Sequence, residues 1–162
     1  MTKISKTLLV LGSVTILSGC GMKSNFSKFK EAVGKIKAHE FKTCEVKVAK
    51  EKYAGTLKSI EFLGVKIEGW EANDLNEKTA EAYGYVNLFM MTADSAKGLE
   101  EQKAEEGEKV VYYVNNLGMF YQDKDGNKTK IEWNKYGLVT SYSYDNKADD
   151  SKDYSLSVSY KK

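Results

Sequence analysis

Past residue 24 the chain switches between two hydrophobic periods. Phe26, Phe29, Val33 and Ile36 recur at helical spacing among Lys28, Lys30, Glu31, Lys35 and Lys37, and Ser24 or Asn25 stands where an N-cap belongs, so a helix is expected there. The period then falls to two. Residues 41–49, 55–63, 65–70 and 80–91 read as strands; in the last, Tyr83, Tyr85, Asn87 and Phe89 alternate with Ala82, Gly84, Val86 and Leu88. Residues 71–77 read as a turn. A polar segment, 92–108, carries a thin apolar line of Ala93, Ala96, Leu99 and Ala104, which predicts a mostly solvent-facing connector helix. Strand patterns resume at 109–115, 118–122, 128–133, 138–144 and 154–160, with Asp125-Gly126 in a hairpin position between two of them. The expected class is α+β: an N-terminal helix packed on a curved antiparallel meander of about eight strands, with a second short connector helix. Lys66-Ile67-Glu68-Gly69-Trp70 echoes Lys130-Ile131-Glu132-Trp133, a faint hint of internal duplication.

The first twenty residues follow another logic. Lys3 and Lys6 precede an uncharged, mostly apolar run from Thr7 to Leu17. As a helix that run reaches about 16 Å, short of the roughly 30 Å of a bilayer core. This is the layout of a secretory signal. Leu17-Ser18-Gly19-Cys20 resembles the lipobox of bacterial lipoproteins, in which a branched apolar residue and two small residues precede an invariant cysteine. The resemblance implies that Cys20 carries a diacylglyceryl group and that a dedicated signal peptidase cuts before it. The expected organisation is a removed signal peptide at 1–19, an acylated cysteine and short tether at 20–24, and one α+β domain at 25–162. At about 0.8 kcal/mol per buried CH₂, two or three acyl chains hold a protein firmly. The implied location is the cell membrane, lipid-anchored on its extracytoplasmic face, and the lysine side of the first helix can rest on that bilayer.

Charge changes meaning once the leader is set aside. The 162 residues hold 25 basic and 23 acidic side chains, all the basic ones lysine. Loss of Lys3 and Lys6 brings the two signs to parity, so charge gives no reason to expect a nucleic-acid partner. With Cys20 acylated, Cys44 stands alone, and the alternation of Cys44, Val46 and Val48 with Thr43, Glu45 and Lys47 places it on an apolar strand face as a buried thiol.

Chemistry-bearing patterns are sparse. There is one histidine, His39, and the sequence holds no GxSxG, CxxC, HExxH or phosphate-cradling glycine loop. Asp123-x-Asp125-Gly126-Asn127 lacks the ligand spacing and terminal glutamate of a calcium loop and reads as a hairpin. Asp145, Asp149, Asp150 and Asp153 read as a solvated loop. No metal, cofactor or catalytic residue is assigned, and catalysis is not expected. Tyrosine is the enriched side chain, with eleven copies. Tyr83/Tyr85 and Tyr142/Tyr144 repeat at i,i+2, so on strands each pair shares a face. With Phe89 they are the candidate lining of a ligand site, and cross-strand aromatic packing explains them equally well.

Two functions remain open. The first is a non-catalytic lipoprotein binding an apolar or amphipathic small ligand. A helix on an antiparallel sheet resembles, in architecture, the lipoprotein-carrier and lipid-binding lipoprotein families, which implies an apolar cavity. The second is a surface module for protein–protein interaction or envelope assembly, with an envelope protein as partner, a filled core and an exposed apolar patch.

Overall fold

The computed structural model describes residues 24–162; the expected signal peptide at 1–19, the lipobox-like Leu17-Ser18-Gly19-Cys20 and the expected acylation site Cys20 lie outside the described residues. Helix α1, Asn25–Gly34, starts where the pattern places it. The Ser24 hydroxyl accepts the Ser27 amide at 3.1 Å, and Phe26, Phe29 and Val33 form its buried stripe. Strands β1 (Thr43–Val48), β2 (Glu51–Phe62) and β3 (Val65–Ala72) follow.

Residues 80–91 are a correction. Residues 80–88 belong to helix α2, Glu77–Leu88, and 89–91 follow its end without regular structure, so none of them is in a strand. The Asn76 side chain accepts the Thr79 amide while the Thr79 hydroxyl accepts the Asn76 amide, a capping box that closes the helix start. Thr79, Ala82, Tyr83 and Val86 form the buried stripe at helical spacing, and Phe89 continues it at the C-cap. The alternation misled because apolar residues stand on both of its phases. The connector is also shorter than expected: helix α3 covers Ser95–Gly98 alone, and the segment up to 108 has no further regular structure. Leu99 turns extended, with φ −74° and ψ 122°, directly after a glycine that helices disfavour.

Strands β4 (Lys109–Tyr113), β5 (Gly118–Gln122), β6 (Lys128–Trp133), β7 (Val139–Asp145) and β8 (Tyr154–Lys161) complete the chain. All eight strands lie in one open antiparallel sheet of order β3-β2-β1-β8-β7-β6-β5-β4. It is not one continuous meander. Two meanders, β1–β3 and β4–β8, are joined where β1 pairs with β8, Val46 opposite Val158. One run holds three strands and the other five, so the structure does not repeat a helix and four strands twice.

The register explains the core. Tyr112, Met119, Ile131, Tyr142, Leu156 and Val48 oppose one another in a row across six strands, all on one face. Helix α1 covers the β4–β6 part of that face, with Phe29 against Tyr112 and Trp133. Helix α2 covers the β1–β3 part, where Tyr83 lies over Gly55. The other face is polar along its middle: Ser141 opposes Ser157, Ser143 opposes Ser155, and Glu45 opposes Ser159. Among the described residues no helix is long and apolar enough to cross a membrane.

Candidate functional site

The aromatic candidates fall into two groups. Because Tyr83 and Tyr85 are helical neighbours two apart, they point to different sides of α2 rather than to one sheet face. Tyr83 is 4 % exposed. Its hydroxyl donates to the Tyr53 carbonyl at 2.8 Å and accepts the Cys44 thiol at 3.6 Å, and its ring occupies the space that a Cβ on Gly55 would need. Burial drives its phenol well above the usual range.

Tyr85 turns toward β7. Its ring stacks on Tyr142 at 4.4 Å, Phe89 stacks on the same tyrosine at 5.5 Å, and Tyr154 sits 5.1 Å from Tyr85. Tyr142 and Phe89 are almost wholly enclosed. Three of the sequence candidates, Tyr85, Phe89 and Tyr142, therefore meet, and they meet as packing between α2 and the sheet. Tyr144 shares the Tyr142 face of its strand but stays half-buried at its end, its hydroxyl accepting from Asn146 Nδ2 at 3.2 Å. Trp133 ties the same layer down: its indole N–H donates to the Phe89 carbonyl at 2.6 Å. The Tyr154 hydroxyl is buried without a protein partner. It borders an open depression of about 550 Å³ that Val48, Tyr53, Lys78 and Glu81 also line.

Cys44 is buried, and desolvation pushes its thiol up, the Tyr83 hydrogen bond offsetting this in lesser part. A nucleophilic thiol needs the opposite shift. His39 uses Nδ1 to accept the Phe41 amide at 3.2 Å, and its ring stacks beside Phe41 and Trp70.

The acidic loops serve the backbone. Asp123 accepts the amides of Asp125 and Asn127 and closes the β5–β6 hairpin, with Gly126 at φ 84°. Asp149 caps a short 3₁₀ turn at Asp150–Lys152, and Asp153 accepts the Asn146 amide at 2.7 Å. Among the described residues no group of three or more His, Cys, Asp or Glu side chains is placed to hold a metal ion.

A different feature stands out on the surface. Strand β2 has twelve residues, but β1 pairs only with its first six. Beyond Leu57 the β2–β3 hairpin projects past the sheet, and residues 58–68 are all exposed. Ile60 opposes Ile67 and Phe62 opposes Val65, so four large apolar side chains share one face. Leu63 sits at the tip, 88 % exposed, and the other four are 55–65 % exposed. The turn residues Leu63 and Gly64 both have positive φ, 49° and 77°. That conformation suits Asn-Gly and costs a leucine strain. The opposite face carries Ser59, Glu61, Lys66 and Glu68.

The base of this crest is basic. Lys42 accepts the Leu57 amide on its carbonyl and donates its own amide to Lys161. Lys162 follows, with its ammonium 3.2 Å from Glu40. On the side of Ile67 an open depression of about 680 Å³ is walled by Ile36, Met90, Met91 and Tyr136, with Lys37 and His39 at its rim. Sequence reasoning identified the two strands but not their projection. The alternation of Ile60, Phe62, Val65 and Ile67 with polar residues is what a half-buried strand shows, and nothing in it reveals that no layer covers the apolar face.

No protein-family model matches the chain, and no curated protein matches it.

Proposed function

We propose that the protein is an extracytoplasmic lipoprotein held to the cell membrane by acyl chains on Cys20, and that it acts by surface contact through the β2–β3 hairpin. The observation that carries this reading is the apolar crest of Ile60, Phe62, Leu63, Val65 and Ile67, exposed on a chain whose interior aromatic residues are already packed. A core that fills its own layer with Tyr85, Phe89 and Tyr142 has no need of a ligand there. A crest with no cover needs an occupant. Catalysis has no support from the buried, protonated Cys44 or from the aspartates committed to turns. Membrane attachment rests on the lipobox resemblance.

Two measurements test the reading. Intact mass of the native protein is expected to show a chain beginning at Cys20 with acyl groups. A photo-crosslinking residue at position 60 is expected to give adducts in intact cells, while one at Asp125, in the turn at the other end of the sheet, gives none. Equal labelling at the two positions would refute contact through the crest.

The alternative, binding of an apolar or amphipathic ligand, is favoured by one observation: the unpartnered Tyr154 hydroxyl beside the 550 Å³ depression. It predicts a stoichiometric lipid retained in native mass spectrometry and lost in Tyr154→Phe.

A further inference from the structure

We propose that the β2–β3 crest lies in the headgroup layer of an anionic bilayer, so that the protein touches its membrane at a second point besides the anchor. This names the occupant of the surface described above and rests on that reading of it.

The chemistry of the crest fits an interface rather than a hydrocarbon interior. One face of the hairpin is apolar and the other polar, as in helices that lie in the membrane plane with their apolar side sunk about 5–10 Å. Leu63 at the tip reaches furthest. The hairpin is two strands wide, so past Leu57 its outward N–H and C=O groups have no third strand to pair with. Those groups tolerate the hydrated headgroup layer but not dry hydrocarbon, which limits the depth.

Charge supports the same occupant. Lys58 shares the face of Ile60 and Phe62, and Lys66 stands on the other face next to Val65 and Ile67. Lys42, Lys161 and Lys162 stand at the base, and Lys37 and Lys135 meet beside them through a backbone hydrogen bond. The acids nearby are Glu40, Glu45, Glu61, Glu68, Glu71 and Asp94, of which Glu40 pairs with Lys162, Glu45 with Lys52, Glu68 with Lys66 and Asp94 with Lys97, so lysines outnumber acids around the crest. Lysine stems can run along apolar surface and present ammonium groups to lipid phosphates.

A protein partner fits less well. Five side chains are far fewer than the roughly 20–30 residues a side of a stable interface, and lysine is depleted at interface cores. For a protein already tethered, a contact too weak to hold it alone still sets its orientation.

The test uses the processed lipoprotein carrying Phe62→Trp. It is reconstituted in vesicles of phosphatidylglycerol and phosphatidylcholine that contain lipids brominated near the headgroup. Trp70 and Trp133 are buried and supply a constant background. Interfacial burial is expected to shift the added emission to shorter wavelength and to quench about half of it. Pure phosphatidylcholine should weaken both effects, and Asp125→Trp should show neither. Emission of Phe62→Trp that stays identical to that in buffer would overturn the proposal. Shielding found in native membranes but absent from protein-free vesicles would also overturn it, in favour of a protein partner. The mass at Cys20 in the same preparation scores the anchor separately. A bare thiol with a shielded crest refutes the anchor alone, and an acylated cysteine with a solvent-exposed crest refutes the crest alone.

Discussion

Replacing Leu63 with asparagine is expected to stabilise the isolated protein. Leu63 has φ 49°, in the left-handed region, and keeps 88 % of its surface in solvent. Full burial of a leucine is worth about 1.5–3 kcal/mol, so the small buried fraction contributes no more than about 0.3 kcal/mol. The left-handed backbone costs a leucine about 1–2 kcal/mol and asparagine less. Asn-Gly is also the preferred pair for a two-residue hairpin turn with both φ values positive. The net gain is about 1 kcal/mol, equivalent to a rise of roughly 3–5 °C in Tm for a domain of this size. Urea unfolding followed through the buried Trp70 and Trp133 measures it. Val33→Ala is the contrast: Val33 is fully buried on the inner face of α1, and its truncation is expected to cost about 2 kcal/mol. If Leu63→Asn lowered stability by 1 kcal/mol or more, the tip would be packed against the fold, and the case for an unpartnered crest would collapse.

Gly55→Ala is expected to destabilise by about 1–3 kcal/mol, because its Cβ meets the Tyr83 ring; a smaller residue at position 83 should recover part of the loss in a double-mutant cycle. Trp133→Phe removes the donor to the Phe89 carbonyl and leaves that oxygen buried, at a cost of about 1–3 kcal/mol read from the urea midpoint. Cys44 should resist thiol reagents at pH 8 in the folded protein and react once urea unfolds it, since burial raises its pKa; fast labelling without denaturant would contradict the packing. Tyr83, Tyr112 and Tyr142 are held protonated by burial, so the stability they lend is complete below the unfolded-chain pKa of about 10 and falls as pH rises above it, by up to about 4 kcal/mol per pH unit for the three together. Tyrosinate absorbance and loss of sheet circular dichroism should then rise together above pH 10; ionisation of these rings with the fold intact would refute their burial.

Where one face of a segment is apolar and the other polar, the period settles the element. Helix α1 and strands β4 to β8 lie within a residue or two of where their patterns place them. Residues 77–88 defeat that logic because Ala82, Tyr83, Val86 and Leu88 supply apolar side chains to both phases of a period-two reading, and the decisive signal is the local pair Asn76 and Thr79. The pairing of β1 with β8 joins segments more than a hundred residues apart, and no local pattern encodes it. The same gap hides the site. Tyr85 and Tyr142 are legible as aromatic, yet their stacking follows from the helix that the alternation concealed. The crest reads as an ordinary amphipathic hairpin, because nothing in its alternation shows that no layer covers its apolar face.

The stopping point of β1 decides which backbone groups of the hairpin stay unpaired, not which side chains are bare. Pairing of β1 with β2 reaches no further than Thr43 opposite Thr56, and the chain upstream of Thr43 leaves the sheet toward His39 and Phe41. Had β1 run four residues longer, it would pair with the backbone of residues 57–60. It would still leave Ile60, Phe62, Val65 and Ile67 bare, because they stand on the face opposite the helices. Along that face the middle strands carry serine, threonine and ion pairs such as Lys130 with Glu132, while Val111, Tyr113 and Phe120 lie at the far edge on β4 and β5. An apolar cluster at the projecting end of this face contributes little to folding, and Leu63 adds backbone strain to it. Exposed apolar area of this kind disfavours the free protein in water, and contact with another surface offsets that cost. The physical case for action by contact therefore rests on this imbalance, independently of any likeness to other proteins.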